Sequence, residues 1–113
     1  MIIHRSILFC ERVAIEVEHL EREYRFARGN VLVEAFRDGQ TSGFSFYDSR
    51  SVKRCNVFTD PKTDKPVMDY GLKEAFDERT GLPRAGSDRV TFATGDPKVV
   101  ANHIMRYYTD SVA

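Results

Sequence analysis

The sequence predicts an α+β domain: an antiparallel sheet of four to five strands with two to three helices packed mainly on one face. Three observations carry that reading. Val31, Val33, Ala35 and Arg37 alternate against Leu32, Glu34 and Phe36, and residues 43–47 resume the alternation beyond an Asp38-Gly39 break, the pattern of an antiparallel hairpin. Thr94-Gly95-Asp96-Pro97 opens a segment in which Val100, Ile104 and Tyr108 recur four apart, the spacing of a helix with one buried face. The 113 residues, 42% of them hydrophobic, contain no linker, repeat or low-complexity run, so a single compact domain spanning 1–113 is expected.

Taken in order, residues 2–10 are short, β-branched and aromatic, and predict a first strand. Residues 11–28 read as a helix, because Val13, Val17, Leu20, Tyr24 and Ala27 share one face and Glu18→Arg22 and Glu21→Arg25 are acid-before-base pairs four apart. Gly29-Asn30 supplies its stop. The competing reading makes two strands of 12–18 and 23–28, because Val13, Ile15 and Val17 also alternate. Strands at 31–37 and 43–47 follow, with a shorter one at 54–58 and an exposed loop over 59–66, where two prolines sit among polar turn-formers. Met68, Leu72, Ala75 and Phe76 then form an apolar stripe after Pro66 and before Gly81 and Pro83, predicting a helix over 67–79. A strand at 89–94 and a helix at 97–109 complete the order, the latter carrying a second row of Val99, His103 and Tyr107.

Seventeen basic residues balance 17 acidic ones, and both halves of the chain are balanced as well. No whole-molecule field steers such a protein toward nucleic acid or anionic lipid. Twelve of the 17 cations are arginines, whose planar forks suit carboxylates, phosphates and aromatic faces. Cys10 and Cys55 belong to no C-x-x-C or metal-type cluster and read as two buried free thiols. The apolar run at 7–10 stops at Glu11 and Arg12, far short of a signal peptide or membrane span, so a cytoplasmic location with no membrane partner is expected.

The residues that carry chemistry are sparse. His4, His19 and His103 lie far apart with no i, i+4 pair, which predicts no metal site. Asp60, Lys62 and Asp64 lack the charge and glycine of a calcium loop, and the glycines at 81 and 86 fit no phosphate-cradling spacing, so no cofactor is expected. Glu16, Glu18, Glu21 and Glu23 are interspersed with Arg22 and Arg25, the pattern of a solvated, ion-paired helix face. A small enzyme would have to use His103, as a general base beside Tyr107 or a glutamate pair.

Residues 42–49, Ser-Gly-Phe-Ser-Phe-Tyr-Asp-Ser, resemble the third-strand motif of the RNA-recognition motif family through Gly43, Phe44 and Phe46. They depart from it at Ser42, Ser45, Tyr47 and Ser49, so the resemblance is not taken as membership. It implies base stacking on Phe44 and Phe46, to which Arg50, Lys53 and Arg54 would add phosphate contacts for single-stranded nucleic acid. The residues alone suggest the other role, the core face of a strand.

The leading expectation is a non-catalytic protein-binding domain, such as an inhibitor, immunity-type or anti-defence protein that occludes a larger partner; a second copy of the chain is also an admissible partner. Arg106, Tyr107 and Tyr108 cannot all face inward on the last helix, which makes them the partner-binding candidates.

Overall fold

The fold is described from a computed structural model, which covers residues 2–24, 32–38, 41–47, 52–77 and 80–109. Its first element is a helix, α1 (Ile2–Tyr24), where a strand followed by a helix was expected. Ser6, Cys10, Val13 and Val17 recur at three- and four-residue intervals and are all buried, while Ile15 between them is 51% exposed. The alternation of Val13, Ile15 and Val17 is therefore incidental. The inward stripe starts at a serine, which hides it among the β-branched residues that suggested a strand. Residues 25–28 of the expected helix lie outside the described residues.

Five strands follow: β1 (Leu32–Asp38), β2 (Thr41–Tyr47), β3 (Lys53–Thr59), β4 (Pro66–Leu72) and β5 (Asp88–Thr91). They pair antiparallel with their sequence neighbours in the order β1-β2-β3-β4-β5. The helix expected over 67–79 is instead β4 and a single 3-10 turn, Lys73–Ala75. The stripe from Met68 to Phe76 fits a helix in isolation, but β3 offers a free edge. All seven residues of β4 pair with it, from Lys53↔Leu72 to Thr59↔Pro66. The expected loop at 59–66 shrinks to a tight connection, closed by Asp60 N–H to Lys65 O (2.9 Å) and Asp64 N–H to Asp60 O (2.7 Å). Asp64 takes the left-handed conformation there, with φ of 59°. The final helix, α2 (Pro97–Thr109), starts at the anticipated proline, and the Asp96 carboxylate accepts the Lys98 amide at 2.9 Å.

The register divides the sheet into two unlike faces. Ala35, Phe44, Val57, Met68 and Val90 are lateral neighbours across the five strands, and both α-helices pack on this side. Cys10, Val13 and Val17 of α1 and Val100, Ala101, Ile104, Met105 and Tyr108 of α2 close the core over Phe46, Cys55, Val57 and Met68. The Ser6 hydroxyl donates to the Ser42 carbonyl and accepts the Thr59 amide at 3.0 Å, so a serine at a core position ties α1 to the end of the β2–β3 ladder.

One residue along, the lateral row is polar throughout: Glu34, Ser45, Asn56, Asp69 and Arg89. Ser45, Asn56 and Asp69 are nonetheless buried. The segment after the 3-10 turn folds back on itself through the Phe76↔Pro83 bridge and the Arg84 N–H to Ala75 O bond (2.6 Å). It lies against this face, where Asn56 Nδ2 donates to Gly81 O at 2.5 Å and Ser45 Oγ donates to Asn56 Oδ1 at 2.7 Å. Gly81 has a φ of 74°, a conformation that favours glycine, and a Cβ there would come within 2.8 Å of the Arg54 guanidinium and push it aside.

Candidate functional site

Burial of Val100, Ala101, Ile104, Met105 and Tyr108 fixes which side of α2 faces the sheet and leaves His103, Arg106 and Tyr107 along its flank. There they meet Met68 and Tyr70 of β4 and Val90 of β5, and the six residues line a groove of about 300 Å³. Met68, Tyr70 and Val90 form an apolar floor. His103 stands edge-on to Phe92 with ring centroids 5.0 Å apart, and its Nδ1 lies 3.3 Å from Val99 O. Tyr107 packs edge-on to Tyr70 at 5.3 Å and donates its hydroxyl to Gly71 O at 2.6 Å. Lys53 Nζ sits 4.4 Å over the Tyr107 ring and donates to its carbonyl at 2.5 Å.

Desolvation, the largest of its causes, pushes the Tyr107 phenol up to about 12. It therefore remains protonated at neutral pH and acts as a hydrogen-bond donor, not a base.

Two of the three partner candidates thus lie on the groove. Arg106 is exposed and Tyr107 half-buried. Tyr108 is different: only 7% exposed, it donates its hydroxyl to Phe46 O, and burial raises its pKa far above the ordinary phenol value. It belongs to the core and offers no surface to a partner.

The aromatic strand follows the core-face alternative and not the stacking one. Phe46 is fully buried and Phe44 half-buried, both on the helix-covered side with centroids 6.4 Å apart, so Phe46 has no free ring face for a base. Lys53 and Arg54 point to opposite sides of the sheet, Lys53 toward Tyr107 and Arg54 toward Ser45, and cannot track one phosphate backbone. Arg50 lies outside the described residues. Among the described residues no group of three or more His, Cys, Asp or Glu could hold a metal ion, and no helix is long and apolar enough to cross a membrane.

Both cysteines are free and buried, and desolvation pushes each thiol up to about 12. Neither is a nucleophile near neutral pH. The ordinary thiol value is 9.0, so the folded state keeps protons that the unfolded state loses. Their contribution to stability is complete below pH 9.0 and lost as pH rises toward about 12. Thermal melts should therefore show Tm falling as pH rises from about 9 toward about 12, with both thiols refractory to iodoacetamide until the protein unfolds. A Tm unchanged over that range would contradict the burial of the thiols.

Sequence reasoning missed the polar face altogether. Its signal is present as Asn56 within the apolar run Cys55 to Phe58 and as Asp69 inside an otherwise apolar strand. Asp69, 2% exposed, receives a bidentate grip from Arg89 at 2.6 and 3.0 Å. Comparison of the chain with protein-family models, with curated proteins and with solved structures finds no match.

Proposed function

We propose that the protein is a small non-catalytic binding module that occludes a surface of a larger protein, in the manner of an inhibitor, immunity-type or anti-defence protein, and that it does so through the α2 groove. The observation that supports this reading is the groove itself. An apolar floor of Met68, Tyr70 and Val90 beside an arginine and a tyrosine resembles the composition of interface anchor points. Two buried free thiols suit a reducing compartment such as the cytoplasm. The catalytic alternative has less support. His103 lies on the groove, but among the described residues no carboxylate lies within ion-pair range of it, and the Tyr107 proton is committed to Gly71.

The test is affinity capture from an extract of the source cells with the natural protein and Arg106→Glu side by side. Arg106 is exposed, so the substitution should leave the Tm within a few degrees of the natural value. The expected result is a stoichiometric partner retained by the natural protein and held about tenfold or more weakly by the variant. Capture of nothing by the natural protein, or equal retention by both, overturns the assignment to this groove.

A further inference from the structure

On the opposite side of the sheet from the groove, Arg54, Lys73, Glu74, Phe76 and Arg84 line a second cavity of about 390 Å³. Three of these five residues are cations and one is an acid. Arg84 is partly compensated by Asp77 at 3.3 Å. Arg54 is not: no carboxylate lies within ion-pair distance of it among the described residues, and its Nε–H is buried with no acceptor. Among the described residues, its Nη2 donates to Ser45 Oγ at 3.0 Å.

The guanidinium is nevertheless held firmly. It lies 5.4 Å from the Tyr47 ring and 5.8 Å from the Phe76 ring, and Gly81 packs against its Nη2. A half-buried cation without a counter-charge is costly, and proteins normally place a carboxylate beside it. Here the nearby polar groups are the neutral Ser45 and Asn56, which position the fork without discharging it. A fixed arginine with no carboxylate partner among the described residues, together with a lysine and a second arginine at the rim, has the composition of an oxyanion receptor.

We propose that this cavity binds a small phosphate monoester. Arg54 is the anchoring donor, and Lys73 and Arg84 complete the charge. Among the described residues Glu74 and Asp77 offset part of this charge and leave the cavity net positive, and the three-fold spread of phosphate oxygens gives Arg54, Lys73 and Arg84 separate acceptors that a planar carboxylate lacks. At about 390 Å³ the cavity falls within the range of small-molecule sites and leaves space beyond the phosphate for an organic group. The site is separate from the α2 groove, so binding here and partner capture stand or fall independently.

The experiment is titration of the folded protein with phenyl phosphate, inorganic phosphate and benzoate, followed by calorimetry and by NMR of the arginine Nε–H signals. Phenyl phosphate should bind more tightly than inorganic phosphate and at least about tenfold more tightly than benzoate, and should move the Arg54 Nε–H resonance. Arg54→Gln should abolish binding. Lys73→Gln, an exposed change that leaves the fold intact, should weaken it several-fold, which keeps the test decisive if Arg54→Gln fails to fold. No displacement of the Arg54 signal by either phosphate compound, or equal affinity for benzoate, or unchanged binding in Lys73→Gln, overturns the proposal.

Discussion

Phe46→Ala is expected to lower the stability of the domain by about 3 to 5 kcal/mol, the cost of removing a fully buried ring from a core that cannot collapse around the void. Phe46 is completely buried at the middle of the helix-covered sheet face, directly opposite Cys55 in the β2–β3 register. Its own carbonyl receives the Tyr108 hydroxyl, so the backbone beneath the ring is pinned to α2 and cannot move inward to fill the space. A domain of this size has roughly 5 to 15 kcal/mol in total, so the variant should be marginal at 37 °C. Urea unfolding checks the magnitude, and Phe46→Leu should recover more than half of the loss. A cost below about 1 kcal/mol would mean that the ring is not in the core, and would restore it as a stacking platform for nucleic acid.

Arg89→Ala should cost about 3 kcal/mol, the low end for breaking a buried pair, because Arg89 itself is half exposed while Asp69 is not. The loss comes mostly from the carboxylate left behind in a site with 2% exposure. Replacing both partners, as in Asp69→Leu with Arg89→Leu, should therefore be much milder than Arg89→Ala alone. Hydrogen exchange should locate the damage at the β4–β5 ladder, where Asp69 and Arg89 are direct neighbours. A double variant no more stable than the single one would show that the bridge matters for geometry and not for charge compensation.

Local sequence signals and the tertiary fold agree in some elements of this chain and conflict in others. The class and the hairpin from β1 to β2 were legible, because alternation and a polar break are local signals. So was α2, whose start is set by Asp96 and Pro97. The two failures share a physical cause. At residues 2–10 the local preference is for strand, but a stripe from Ser6 to Val17 packs on β2 and β3 and recruits the segment into α1. At 67–79 the local stripe is helical, and the open edge of β3 recruits it into β4. In both, tertiary pairing overrides propensity: the partners of α1 lie far along the chain, and β3, though next to β4 in sequence, gives no local signal that its edge is open.

The groove was half legible. Arg106 and Tyr107 follow from helical spacing and Val90 from the strand expected at 89–94, whereas Met68 and Tyr70 come from a strand where the stripe over 67–79 predicts a helix. Which of two adjacent tyrosines turns inward was not legible, because the decision rests on the Phe46 carbonyl accepting from Tyr108. The second cavity was not legible at all, because it depends on a turn around Gly81 reaching back over Arg54.

The polar row from Glu34 to Arg89 has a consequence for how the chain finds its native state. Neighbouring strands in a meander can zip together out of step at little initial cost, and apolar strands discriminate weakly among such alignments. Here a slip of β3 or β4 by one residue would turn Asn56 or Asp69 under the helices, away from Ser45, Gly81 and Arg89 and with no partner to receive it. Misaligned intermediates are thus penalised as the helices close over them. The row serves as a proofreading device for strand alignment, and replacing Asn56 or Asp69 with an aliphatic residue would relax that discrimination even where it left the final structure standing.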